Sequence, residues 1–455
     1  MTDVRVGGDA DLLASLASSV ISRARPDEQV EAYVARGGET EVRVYKGDVE
    51  HFVSAQSEGI GIRVIVDGRT GFAYAGTLAA DAIEEVLAEA RDNVAYGTVD
   101  EHAALANPDG VAVTPQALWS DDLAELSTED KIELAKELER LTVAGDPRIR
   151  IDDANYADGW SITATATSTG VDTTSRENGC YVTVSALADE GDETQSGYGY
   201  SVGRRPDEID LDKAATLAVE RATRLLGATK PPSGRVDIVL DPMVTASFLS
   251  LIGGTLSGEA VVKGRSLFRE RIGDQIAAPG ITLVDDPTNP EAYTASETDG
   301  EGLATRRNVL IADGTLQQFC HSTYSARRAG AAPTGNGVRG GFAGTPGAGA
   351  IALSLVPGHL DQEALIAMVD DGVLIQSVTG LHSGVNPVSG DFSAGASGLL
   401  VKGGTLAGPV REFTIASTLQ RMLLDVAAIG SDIDWLPSNA AGMSLVIRDV
   451  TVSGT

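Results

Sequence analysis

The chain has 455 residues, with 35 Lys+Arg against 65 Asp+Glu and a net charge of -30. Two or three domains are expected at that length, and the negative field, with no compact Lys/Arg cluster in it, argues against a nucleic-acid binder. No stretch approaches the roughly 20 apolar residues that cross a bilayer, and no membrane partner is expected.

The N-terminus carries Asp3, Asp9 and Asp11 where a signal peptide needs a basic start, so a cytoplasmic location is expected. Cys180 and Cys320 lie outside any C-x-x-C pattern and read as ordinary buried thiols. Leu12, Leu13, Leu16, Val20 and Ile21 share one face of a helix expected over Asp9 to Ala24, which Pro26 ends. A meander follows, with strands expected at 30–35, 41–45, 50–55, 60–66 and 72–75, separated by Gly-containing turns such as Gly37-Gly38 and Glu58-Gly59. A helix over Asp81 to Val94 closes this unit.

The order then repeats. Ser127 and Asp130 have the spacing of a helix N-terminus, a Thr/Ser/Val-rich region from Arg148 to Val202 alternates as strands do, and a helix is expected over Leu211 to Leu226. The repetition suggests two related units, about 1–110 and 120–226, although shared identities are too few to establish a duplication. Residues 227–235, rich in Gly and Pro, read as a linker before a C-terminal domain over 236–455. That domain lacks βαβ alternation, and its helices are expected near 242–254, 362–369 and 415–428. The fold class is therefore α+β: an N-terminal helix-plus-antiparallel-meander region followed by an α+β domain with a large curved, mostly antiparallel sheet.

In the C-terminal domain, Gly258-Glu-Ala-Val-Val-Lys263 keeps the frame of a His-Glu-x-x-x-His zinc-peptidase motif with both histidine positions lost. Gly258 offers no ligand, and the Lys263 ammonium would repel zinc and pair with Glu259. From the frame alone, histidines restored at 258 and 263 are expected to regain some zinc affinity. None of His51, His102, His321, His359 and His382 has a second histidine at helical ligand spacing. Gly335-Asn-Gly-Val-Arg-Gly340 matches G-x-G-x-x-G, but the Gly- and Pro-containing segment after it does not open a helix, so it reads as a loop. Ser393 and Ser397 lie outside any G-x-S-x-G elbow.

This frame is followed by the run Gly273 to Pro287, Asp299-Gly-Glu-Gly302, Asp313-Gly-Thr-Leu316, Ser325-Ala-Arg-Arg328, Thr334-Gly-Asn-Gly337 and Val388-Ser-Gly-Asp-Phe-Ser393. In this set and order, the chain resembles the TldD/PmbA metallopeptidase family, and within it the PmbA (TldE) branch that lacks the zinc motif. The active subunit of the family takes a further cysteine ligand near its C-terminus, where this chain has Ala440-Ala441-Gly442. The resemblance implies a zinc-less subunit with no cofactor of its own, partnered by a TldD-like zinc subunit with an intact His-Glu-x-x-x-His motif in a complex that cleaves unstructured peptides. Self-association is the alternative without that partner. Gly258, Glu259 and Lys263 would be vestigial zinc-motif positions, with no catalytic or metal-ligating residue in this chain. Thr334, Gly335, Asn336, Gly337 and Ser393 would line a peptide groove, and bulky replacements at Gly335 or Gly337 are expected to spare folding. A stand-alone peptidase of another chemistry and a non-catalytic homo-oligomeric peptide binder are the alternatives.

Overall fold

A computed structural model describes residues 6–455, with side chains from Asp9 onward. The N-terminal region runs α1 (Val6–Ile21), β1 (Gln29–Tyr45), β2 (Asp48–Val66), β3 (Arg69–Ala75) and α2 (Ala80–Val94). A short helix α3 (Asp121–Ala124) precedes α4 (Thr128–Gly145), β4 (Ile149–Thr167), β5 (Asp172–Glu190), β6 (Glu193–Gly203) and α5 (Leu211–Thr223). Ser127 caps α4, its Oγ accepting from Asp130 N at 3.1 Å. The two meanders join through antiparallel β1 and β4 into one six-stranded sheet of order β3-β2-β1-β4-β5-β6.

Alternation explains which face the helices cover. Val30, Ala32 and Val34 of β1 and Ile162, Ala164 and Ala166 of β4 pack with Leu13, Ala17 and Val20 of α1 and with Ile83, Val86 and Leu87 of α2. Val42 and Val44 farther along β1, with Val182 and Val184 of β5, pack against Ala135 and Leu138 of α4 and Ala214 and Ala218 of α5. All four long helices thus lie on one face of the sheet.

Gly47 and Gly68 turn the first meander as expected, each with positive φ between two strands, but Gly37-Gly38 and Glu58-Gly59 do not. β1 runs through Gly37 and Gly38, and β2 runs through Gly59. Their role is close approach: a Cβ on Gly38 would stand 2.5 Å from the Trp160 indole nitrogen, and one on Gly59 would stand 2.4 Å from the Ala75 carbonyl oxygen and 2.5 Å from the Phe342 ring.

β7 (Gly234–Leu240) opens the C-terminal domain and leads into α6 (Pro242–Thr255), which Asp241 caps through Met243 N at 3.1 Å. Val244, Phe248, Leu249 and Ile252 of α6 enter the domain's main core. A six-stranded sheet is built by Thr405–Thr418, Asp391–Lys402, Asp371–Thr379, β7, Leu445–Ser453 and Val426–Ile429 in that spatial order. Of its neighbouring pairs, β7 and Asp371–Thr379 are parallel and the others antiparallel. Thr405–Thr418 also pairs with Leu445–Ser453, so the sheet curls back on itself. The helix expected over 415–428 is instead the end of a strand, the short helix Leu419–Leu424 and a second strand. Thr418 resets the conformation there, its side chain capping Arg421 N. Between the two regions, Arg221 of α5 pairs with Asp241 at 2.8 Å.

Candidate functional site

Helix α7 (Gly258–Val262) begins at Ser257, whose Oγ caps Glu259 N at 3.2 Å and donates to the Ala348 carbonyl at 2.7 Å. Gly258 N donates to the Cys320 carbonyl at 2.7 Å, pressing the start of α7 against residues 320–325. A Cβ on Gly258 would lie 2.2 Å from His321 Nδ1, 2.7 Å from Ser325 Oγ and 2.8 Å from the Cys320 carbonyl oxygen. Two of those neighbours are buried side chains and the third is backbone, so no side chain fits at 258. This overturns the expectation that histidines at 258 and 263 would rebuild a zinc site.

Lys263 ends α7, and its Nζ closes onto the Glu259 carboxylate one turn back. His321 is buried, its Nδ1 is 3.1 Å from Ser325 Oγ, and burial lowers its pKa. The residues at this position do not fit a zinc ion: the glutamate is held by an ammonium, and the nearby imidazole nitrogen is shared with a serine hydroxyl. Among the described residues, no group of three His, Cys, Asp or Glu side chains is arranged to hold a metal.

The Thr334–Gly337 segment meets this site from the other side. His321 N donates to Thr334 Oγ1 at 2.7 Å, and Thr334 Oγ1 donates to Asn336 Oδ1 at 2.7 Å. Asn336 is fully buried; its Nδ2 donates to Asp285 Oδ2 at 2.6 Å and to the Gly349 carbonyl at 3.0 Å. Asn308 Nδ2 completes the network by donating to Asn336 Oδ1 at 3.0 Å. The side chains of Thr334 and Asn336 are therefore committed inside the domain. Gly335 has φ 71°, and a Cβ there would stand 2.5 Å from the Ala304 carbonyl oxygen. A Cβ on Gly337 would stand 2.8 Å from Glu301 Cγ. Both glycines are packing requirements, so bulky residues there disturb folding, contrary to expectation. Of these four residues, Gly337 lines the large cavity described below. Ser393 lies apart, exposed on Asp391–Lys402 in the curled sheet.

Three buried carboxyls surround this segment. Asp285 accepts from Ile351 N, Ala352 N and Asn336, and burial pushes it up to about 6. Asp299 accepts from Gly337 N at 2.7 Å, from Glu301 N and from Leu303 N. Burial, and then the neighbouring Glu301 charge, raise its pKa. Glu301 is itself raised by burial, although it accepts from Thr323 N at 2.7 Å.

Beyond Gly337, a cavity of about 550 Å³ separates the polar face of the N-terminal sheet from the segments around Tyr293–Gly300 and Gly337–Arg339. The alternation of residues 161–167 that marks a strand also carries the sequence signal for this cavity, because the odd-numbered Ser161, Thr163 and Thr165 face it.

Comparison with known proteins places this geometry. Residues 233–454 match the PmbA/TldA metallopeptidase C-terminal domain, residues 121–226 the central domain and residues 30–94 domain 1. The chain belongs to the PmbA/TldD metallopeptidase family. This PmbA/TldD chain is 26% identical to the metalloprotease PmbA of Escherichia coli O157:H7 over 90% of its length and 88% of the relative's. It is 27% identical to a metalloprotease TldD homolog of Haemophilus influenzae, with 87% of each chain covered. The crystal structure of TldE from Thermococcus kodakarensis shares the fold, with a TM-score of 0.88 at 22% identity over 98% of this chain and 99% of that one.

Proposed function

We propose that this PmbA/TldD-family chain is the zinc-less, PmbA/TldE-like subunit of a cytoplasmic two-subunit metallopeptidase that degrades or processes unstructured peptides. The observation that carries the reading is the state of the family's zinc-motif position. Glu259 is held by Lys263, and Gly258 is wedged against His321 where no ligand side chain fits. The zinc would belong to a TldD-like partner with an intact His-Glu-x-x-x-His motif, where it activates a water. This chain's own part is to fix the path of the peptide, which alters the rate without donating a catalytic group.

The test is co-expression with a His-Glu-x-x-x-His relative, co-purification, and a peptide-cleavage assay of each chain alone and of the pair. Cleavage by the pair and by neither chain alone, abolished by a chelator, supports the proposal. Cleavage by this chain alone makes it an independent peptidase. Peptide binding without cleavage in any combination makes it a peptide-binding protein.

A further inference from the structure

The face of the N-terminal sheet opposite the helices is polar and in register. Tyr33 of β1 stands beside Thr165 of β4, which pairs with Thr173 of β5; Thr163 pairs with Ser175, and Ser161 with Glu177. In a sheet buried on both sides these positions would be apolar. Here they wall the cavity of about 550 Å³, a size typical of sites that enclose a ligand.

The charges lining that space are unequally committed. Arg204 donates to the Asn178 carbonyl at 3.3 Å, Tyr293 at 2.9 Å and Ala295 at 3.3 Å. Arg339 pairs with Glu31, donates to the Gly300 carbonyl at 3.0 Å and lies 4.5 Å from the Tyr33 ring centroid. Asp299 is taken up by its three backbone donors. Glu177 differs: among the described residues, no donor hydrogen-bonds to its carboxylate and no cation lies in ion-pair contact with it, the Arg204 guanidinium acting on it only from a greater distance while bonded to backbone carbonyls. A carboxylate in a confined space is stabilised by a cation brought to it, and the net charge of -30 draws cations from a distance.

We propose that this cavity holds an extended peptide segment and that Glu177 pairs with a cationic side chain on it, a lysine ammonium or an arginine guanidinium. The Thr and Ser hydroxyls of the wall serve as bonding partners for the peptide whatever its sequence, and Glu177 adds a preference for positive charge. The inference rests on the peptide-handling reading above and names its substrate class. It concerns a site separate from the zinc-motif position, since none of residues 258–263 lines this cavity.

The test uses the full chain and two fluorescent, unstructured peptides that differ in one central residue, lysine or norleucine, which keeps the four-carbon stem without the ammonium, read by fluorescence anisotropy. The lysine peptide is expected to bind about tenfold more tightly, a preference that Glu177→Gln reduces to within about twofold. A preference arising from the overall acidic field would survive removal of one charge, so retention of it in Glu177→Gln overturns the assignment. Equal binding of both peptides to the unsubstituted chain overturns the charge preference but leaves the peptide-handling reading standing. Failure of both peptides to bind overturns the two together. An unchanged thermal transition in Glu177→Gln, expected where the carboxylate has no hydrogen-bond partner to lose, excludes misfolding as the cause.

Discussion

A Cβ on Gly258 would stand 2.2 Å from His321 Nδ1, closer than non-bonded atoms approach. Gly258→His is therefore an overpacking change at the start of α7. It is expected to lower stability by about 1–3 kcal/mol in denaturant unfolding, and Gly258→His with Lys263→His is expected to gain no stoichiometric zinc. A double variant that unfolds like the parent and holds zinc would contradict this.

Glu259 and Lys263 pair at i,i+4 with side chains 39% and 48% exposed. Exposed pairs of this kind contribute about 0.3–0.5 kcal/mol. Glu259→Ala is expected to change stability by no more than about that, and to leave cleavage by the assembled complex nearly unchanged. Loss of cleavage in this variant would make Glu259 catalytic.

Asn336 is the buried hub of a network joining Asn308, Thr334, Asp285 and Gly349. Asn336→Ala leaves several buried polar groups without partners, which costs about 2–4 kcal/mol. The expected result is a large drop in the denaturant midpoint; a shift of less than about 0.5 kcal/mol would show that the network is not tight in solution.

Stability should also depend on pH. Asp285 rises from 3.8 to about 6 on folding, so between those values the folded state binds more protons than the unfolded one. That contribution is fully present below about 4, declines as pH rises, and is gone above about 6. Asp299 and Glu301 are raised by burial and act in the same direction. Lowered carboxyls such as Glu28, Glu31 and Asp100 act oppositely, losing their contribution as acid protonates them. His321, lowered by burial, also acts oppositely, its contribution growing as pH rises toward the unfolded value of 6.5. With the raised carboxyls in the majority, unfolding free energy is expected to fall by about 1–2 kcal/mol from pH 5 to pH 7.5. A steady rise over that interval would contradict it.

Much of the architecture was legible because alternation and capping are local. The strands around Val30 and Ile162, the Ser127 cap and the Asp241-Pro242 start of α6 could each be read from a few neighbouring residues. What was not legible depended on distant partners. Gly38 and Gly59 look like turn residues until Trp160 and Phe342 are found above them. Gly335 and Gly337 look like an open loop until Ala304 and Glu301 are found behind them. Near Ile415, a strand and a short helix join without a break in the apolar pattern, so periodicity merged them. At 258–263 the sequence shows glycine and lysine where the motif's frame would have histidines, but the burial of His321 against Gly258 required the fold.

On the proposed division of labour, the catalytic metal of the assembly would belong to the partner and not to this chain. Elemental analysis of the purified pair after mild chelation and readdition of zinc tests it most directly, with each subunit also measured alone. About one zinc per pair, with almost none on this chain alone, is the predicted result. About one zinc on this chain alone, or two per pair, would contradict the account.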